Sequence, residues 1–142
     1  IETIHFEAHY NFRNHIDALR QDFAGFHLKM KIGIETFDAP FRENVLRKGI
    51  AEVDPEKICQ GFQEGNFLFG IAGQTQETME RDIALGLEYL ERICINIMTE
   101  NTTAIKPNYQ VIDTFIRTIM PRYKNNQRVD ILLNNTDFGV GD

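Results

Sequence analysis

Alternation of apolar and polar residues in the predicted strands is the feature that most restricts the fold. Five β-rich runs are separated from one another by helical patterns: Glu2–Ala8, His27–Thr36, Asn66–Gly73, Ile93–Thr99 and Val129–Asn135. In all but the third run, every second residue is apolar and the residues between are mostly polar, whereas the third is apolar or small on both faces. Strands that alternate with helices form βαβ units and a mainly parallel sheet. The sequence therefore predicts an α/β domain whose sheet has one apolar and one polar face.

Helical patterns fill the intervals between these strands. Apolar residues recur there every three or four positions, which places them on one face of a helix. The predicted helices are Asn11–Gly25, Phe41–Lys48, Pro55–Phe62, Thr75–Arg92 and Asn108–Lys124. Gly25 is expected to cap the first helix, and Pro121 is expected to end or kink the last.

A polar face is unusual for a parallel sheet, because crossover helices normally cover both faces. One arrangement that explains it is a curved sheet with helices outside and a polar, ligand-filled interior. The other is a two-layer sheet whose polar face meets water. We favour the curved sheet and predict a parallel, five-strand β/α segment of a TIM-like barrel.

The two ends of the chain already lie beside predicted strands, whereas natural domains usually begin and end in exposed polar linkers. A complete barrel of eight β/α units needs about 200 residues or more, and this chain has 142. We therefore expect residues 1–142 to be a single α/β domain that is part of a longer barrel.

Composition excludes several classes of protein. Hydrophobic residues make up 42% and charged residues 25%, as in globular rather than disordered chains. The net charge of −6 provides no general attraction to nucleic acid, and no apolar run is long enough for a membrane helix. We expect a cytoplasmic protein that binds neither nucleic acid nor membrane.

Two strand ends carry motifs that resemble one family. The second strand ends in Gly33-Ile34-Glu35-Thr36, followed by Leu46-Arg47-Lys48-Gly49, and the third ends in Gly70-Ile71-Ala72-Gly73-Gln74-Thr75. In order and spacing these segments resemble the radical S-adenosylmethionine (radical SAM) enzymes, which commonly carry a GIES-like strand end, an L…RG helix end and a GLPGQT-like turn. The resemblance covers about residues 1–100 and implies that the strands are the later ones of a (β/α)₆ partial barrel.

The resemblance also implies a site for S-adenosylmethionine (SAM). The end of the second strand would contact the ribose or the methionyl part of SAM, and the turn after the third strand would pack on its adenine. The implied contacts are Glu35, Thr36, Ile71, Ala72 and Gly73. The family's GxIxGxxE pattern is incomplete here, because Phe69 occupies its first glycine position and Gln76 its glutamate position.

The family's [4Fe–4S] cluster is held by a CxxxCxxC loop, which this sequence lacks along with the family's glycine-rich SAM motif. Cys59, on a predicted helix, and Cys94, on a strand, do not replace that loop. The resemblance thus implies the C-terminal part of an enzyme that, when intact, cleaves SAM at the cluster to start radical chemistry. We expect this chain by itself to be inactive and to bind no metal or cofactor.

Polar residues of the interior face and of the strand ends are the candidate contacts for a small-molecule or peptide substrate. These are His5, Glu7, His9, Lys31, Asn96, Glu100, Asn134 and Asp137. His5, Glu7 and His9 also suggest a Zn²⁺ or Fe²⁺ site, but alternate residues of a strand lie about 7 Å apart and rarely converge on one ion. Lys29 and Lys31 with Glu35 have a simpler interpretation as an internal ion-paired set, and the Asn and Asp residues as turn formers.

Two functions of other classes remain open from the residues alone. A cluster-independent, TIM-barrel-like lyase or hydrolase would use Glu7, Lys31 and Glu35 for proton transfer. A non-catalytic α/β module would bind a partner protein on the polar sheet face. Exposed sheet edges also predict self-association of the isolated chain.

Overall fold

The strands form one parallel sheet in sequential order. A computed structural model describes residues 1–133, and its five strands pair in the order β1-β2-β3-β4-β5. They are β1 (Thr3–Ala8), β2 (His27–Glu35), β3 (Glu64–Phe69), β4 (Arg92–Ile97) and β5 (Val129–Leu132). Right-handed crossovers between strands in sequential order bring every helix to the same face of the sheet. The predicted α/β fold with five parallel strands is confirmed.

The helices occupy the predicted intervals but are more broken than predicted. They are α1 (Ile16–Asp22), α2 (Ala39–Phe41), α3 (Pro55–Cys59), α4 (Gln76–Tyr89), α5 (Tyr109–Thr114) and α6 (Met120–Tyr123). A 3₁₀ turn (Tyr10–His15) precedes α1, and wide π turns follow α2 (Arg42–Leu46) and α5 (Phe115–Ile119).

Three of these boundaries differ from the expected ones. The third strand starts at Glu64 and stops at Phe69, because Gly70 turns the chain with a φ of 106°. The first helix ends with Phe23, rather than Gly25, as its C-cap. Pro121 does not end the last helix, since the preceding π turn leaves it in the first turn of α6, where its missing N–H is tolerated.

The apolar core lies between the sheet and the helices. Alternate residues of the three central strands point to it and are almost completely buried, as are the facing residues of α4 and of the π turn before α6. The core includes Met30, Ile32, Ile34, Phe67, Phe69, Ile93, Ile95, Met79, Ile83, Phe115 and Ile119. Burying each such side chain contributes about 1.5–3 kcal/mol to folding.

Gly86 allows α4 to pack closely on the sheet. A Cβ at this position would lie 2.9 Å from Ile93 Cγ2 and 3.1 Å from two ring atoms of Phe67. The first distance is shorter than real Cβ contacts and the second is shorter than most of them, so a side chain here would push the helix away from the sheet.

A buried carboxylate joins the carboxyl end of β2 to α4. Asp82 is 1% exposed. Its Oδ2 accepts a hydrogen bond from Thr36 Oγ1 at 2.7 Å, and its Oδ1 accepts one from the backbone N–H of Phe37 at 2.8 Å. Burial raises the pKa of Asp82 to about 7, although both hydrogen bonds favour the charged form.

Gly86→Ala is expected to lower the free energy of unfolding by about 1–2 kcal/mol, because overpacking outweighs the gain in helix propensity. Urea denaturation measures this change. Gly25→Ala is the matched control, since nothing lies within 4 Å of its Cβ position, and it should change stability by less than about 0.5 kcal/mol. Stabilisation by Gly86→Ala would contradict the close approach.

Asp82→Asn is expected to remove part of the pH dependence of stability. The folded-state pKa of about 7 exceeds the ordinary value of 3.8, so the folded protein binds more protons than the unfolded one between these values. Stability of the wild type should therefore fall, relative to the variant, as the pH rises through that range. Urea denaturation across the range tests this, and parallel curves for the two proteins would refute it. Asp82→Ala, which leaves two donors unpaired, should cost about 2–3 kcal/mol.

Candidate functional site

The face of the sheet opposite the helices is polar along its whole width. In β1, His5 and Glu7 are exposed while Ile4, Phe6 and Ala8 are partly buried against the core. The third strand is not apolar or small on both faces, as the sequence suggested, because it places two buried polar residues, Glu64 and Asn66, on this face. Glu64 was missed because the predicted strand began at Asn66, whereas Asn66 lay inside that strand as its one polar residue among apolar and small ones.

Ion pairs occupy the charged groups near the amino ends of the strands. His5 Nδ1 lies 2.5 Å from Glu64 Oε1, and Lys29 Nζ lies 2.6 Å from Glu91 Oε2. The guanidinium of Arg92 in β4 binds the carboxylate of Asp130 in β5, with Nη2 2.7 Å from Oδ1. Most charged groups at this end of the sheet are therefore already paired within the chain.

Four charged side chains nearer the carboxyl ends have no such partner. Within residues 1–133, the side chains of Glu7, Lys31, Glu35 and Lys48 form neither a hydrogen bond nor an ion pair. The predicted Lys31–Glu35 ion pair is therefore absent. Burial raises the pKa of the Glu35 carboxyl, with Lys48 opposing the shift and Glu7 adding to it. These groups thus share one electrostatic environment and remain available to a ligand.

A buried arginine positions the loop that carries Lys48. Arg42 is completely buried and donates hydrogen bonds to the carbonyl oxygens of Thr36, Ile50 and Glu52. Its Nε lies 2.7 Å from Glu43 Oε2. The loop after β2 is therefore attached to the end of that strand through a single guanidinium.

His9 fastens the same loop from the other side. Its Nδ1 accepts a hydrogen bond from the backbone N–H of Asn11, and its Nε2 lies 2.6 Å from the carbonyl oxygen of Lys48. A carbonyl only accepts, so Nε2 must carry the proton and the ring is the neutral Nε2–H tautomer. Both nitrogens of this predicted substrate contact are engaged within the chain.

The turn after β3 is shaped by glycine and by one buried amide. Gly70 and Gly73 have φ values of 106° and 101°, in the region that favours glycine. Gln74 Oε1 accepts hydrogen bonds from the backbone N–H groups of Gly70 and Ile71, and Gln74 Nε2 donates to the carbonyl oxygen of Leu68. Ala72 and Gly73 are exposed, and among the described residues their N–H groups have no acceptor, so this backbone is free to contact a ligand.

The two strand-end motifs meet in the folded chain. A Cβ on Gly73 would lie 3.0 Å from Cε2 of Phe41, in the helix that follows β2. Glu35, at the end of β2, is in the left-handed region with a φ of 69°. Thr36 is buried, and its hydroxyl is committed to Asp82. Of the implied SAM contacts, Glu35, Ala72 and Gly73 remain accessible, while Thr36 and Ile71 are buried behind them.

The remaining predicted substrate contacts lie in different surroundings. Asn96 is half-buried on the polar face of β4. Glu100 is exposed in the following loop and accepts a hydrogen bond from the hydroxyl of Tyr109 at 2.7 Å. Asn134 and Asp137 lie outside the described residues.

Several residues that build the site were not identified from the sequence. Asp82 carried a usable signal, because a lone carboxylate on the apolar stripe of Met79 and Ile83 needs a buried partner. Arg42 had none, since polar residues near turns are usually solvated, and Gln74 stood in the turn motif without a predicted role of its own. Asn66 and Lys48 face the interior only because of strand register and loop path.

The described residues do not fit an iron–sulfur cluster. Cys59 and Cys94 are both buried, and burial raises the pKa of each thiol, to about 12 for Cys59. Between residues 1 and 133 no three His, Cys, Asp or Glu side chains are grouped closely enough to hold a metal ion. Over the same range, no helix has the length and apolar character needed to cross a bilayer.

Comparison with known proteins gives one informative match. The structure is similar to queuine lyase from Clostridium spiroforme bound to SAM and queuine, with a TM-score of 0.90 and 39% sequence identity. The match covers 100% of this chain and 61% of that protein, so the chain spans about three fifths of the neighbour's length. No family model and no curated protein matches the sequence.

This match covers both strand-end motifs and the whole parallel sheet. It agrees with the family that the motifs indicated independently, and its solved relative has SAM bound. The chain therefore has the radical SAM fold.

Proposed function

We propose that the whole protein to which this chain belongs is a SAM-dependent lyase that acts on queuine or a closely related base. The observation that carries the proposal is the 39% identity to a queuine lyase over 100% of this chain. The sheet interior supports it, because charged groups without partners line the face where a polar ligand would lie. Both thiols of the chain are buried, and burial raises the pKa of each, which disfavours the thiolate that a cluster needs. We therefore assign the cluster to residues outside this chain.

The carboxyl edge of the sheet suits SAM. Glu35 provides a carboxylate for hydroxyl or ammonium groups, and the free N–H groups of Ala72 and Gly73 provide donors for a heterocycle. Asp82, Thr36 and Gln74 hold these contacts in place through the buried hydrogen bonds described above. When bound, SAM supplies the adenosyl group with which radical chemistry begins in this family.

Residues of the chain then orient the two ligands and limit access of water. Phe41 packs beside Gly73 and closes the gap between the two motifs. The pKa of Glu35 is raised because its carboxylate is partly desolvated. Electrostatic contacts are stronger in such surroundings than in water.

Glu35→Gln is expected to weaken SAM binding by about tenfold, as for the loss of one charge-assisted hydrogen bond. In the wild type, SAM affinity should also fall as the pH is lowered through the raised pKa of Glu35, because only the carboxylate binds. The variant should lack this pH dependence. Isothermal titration calorimetry of SAM with the full-length protein at several pH values tests both points, with Gly25→Ala as control. Equal pH profiles would exclude Glu35 as a SAM contact.

The reaction itself is tested on the full-length protein from the reading frame that contains this chain. After anaerobic reconstitution with iron and sulfide, incubation with SAM, reductant and queuine should consume both SAM and queuine, as measured by mass spectrometry. Consumption of SAM with queuine untouched would reject the proposed substrate. Consumption of queuine without SAM would favour the cluster-independent lyase that uses Glu7, Lys31 and Glu35.

A further inference from the structure

Asn66 carries a buried polar atom that the fold does not satisfy. The residue is 8% exposed, and its Oδ1 has no hydrogen-bond partner among residues 1–133. Its neighbours in β3 show which way it points. Glu64 binds His5 on the polar face, while a Cβ on Gly65 would meet Leu90 and Ile32 on the helix side. By the alternation of a strand, Asn66 faces the polar interior. Leaving such an acceptor unpaired costs free energy, so a ligand that pairs with it is favoured.

A glycine lies beside this amide. Gly33 in β2 is the direct pairing partner of Asn66 and has no side chain to cover the sheet there. Glu7 Oε1 and Lys48 Nζ each approach to 3.7 Å from the position that a Gly33 Cβ would occupy. We call the space on the polar side of Gly33, bordered by Glu7, Lys48 and Asn66, the Gly33 recess.

The border of the recess has a distinctive set of hydrogen-bonding groups. The Glu7 carboxylate accepts two hydrogen bonds, the Asn66 carbonyl accepts another, and the Lys48 ammonium donates. A guanine-type edge is complementary to this set, since it offers a ring N–H and an amino group as donors beside a carbonyl oxygen as acceptor. An adenine-type edge is not, because it has a ring nitrogen acceptor where guanine has the N–H.

From these observations we propose that the Gly33 recess binds the guanine-type edge of the substrate base, and that Asn66 is a specificity-determining residue. This inference rests on the proposed function. It assigns a role to Asn66, which lies in neither strand-end motif, and to Gly33 and Lys48, which belong to the first motif but were given no ligand contact by it. Because Gly33 has no side chain, the base can lie directly against the sheet at this position. Lys48 reaches the recess because Arg42 and His9 fix the path of its loop.

Two variants of the full-length protein test the inference, with queuine and SAM as separate probes in calorimetric titrations. Asn66→Ala should weaken queuine binding by about tenfold, the effect of losing one hydrogen bond in a desolvated site. Gly33→Ala should weaken it by at least about tenfold, because the new methyl group fills the recess. Neither variant should change SAM affinity by more than about twofold.

Stability separates this role from a structural one. The Gly33→Ala methyl group would make ordinary contacts at 3.7 Å, and Asn66→Ala removes an unpaired buried acceptor. The thermal unfolding midpoint should therefore stay within a few degrees of the wild type, or rise for Asn66→Ala. Gly25→Ala, in open space, is the control for the glycine substitution.

Three outcomes would overturn the inference. Unchanged queuine affinity in both variants would reject the recess while leaving the proposed function intact. A parallel loss of SAM affinity would assign the recess to SAM instead. Failure of the wild-type protein to bind queuine would reject the recess and the proposed function together.

Discussion

Burial of only one face of a parallel sheet is the constraint on which the rest of this structure depends. The strands follow one another in sequential order, so every crossover packs on the same side and a single apolar layer forms between sheet and helices. The opposite face then contains polar groups that must pair with each other, with water or with a ligand. Ion pairs and the His5–Glu64 hydrogen bond meet this need at the amino ends of the strands. Nearer the carboxyl ends, the charged groups have no such partner within residues 1–133.

Two buried charges give the carboxyl end of β2 its shape. Arg42 donates hydrogen bonds to three backbone carbonyl groups, one just after β2 and two in the loop beyond it. Asp82, in α4, accepts hydrogen bonds from the Thr36 hydroxyl and the Phe37 N–H, the two residues that follow β2. Both charges are compensated by hydrogen bonds, which is the condition for burying them. Their combined effect is to hold Glu35 and Lys48 at the edge of the interior without using those side chains as structural contacts.

The carboxyl edge of the sheet proposed to bind SAM (Glu35, Ala72 and Gly73) and the Gly33 recess are adjacent but chemically different. The edge combines free backbone N–H donors with one carboxylate. The recess combines the unpaired amide oxygen of Asn66, the carboxylate of Glu7 and the ammonium of Lys48 around a glycine. Gly33 and Glu35 are two residues apart in β2, with a register irregularity between them. The strand thus presents both positions to one interior, as an enzyme that brings SAM close to its substrate requires.

The sequence by itself determined the number and parallel order of the strands, the polar face and the two motifs. These features follow from hydrophobic periodicity and local spacing, which short segments encode directly. Only the tertiary structure decided that Glu64 and Asn66 face the interior, that Thr36 binds Asp82, and that His9 fastens a loop. Those outcomes depend on strand register and on contacts between residues far apart in the chain. Local periodicity contains no information about register or about such contacts, and a shift of one residue in register exchanges the two faces of a strand.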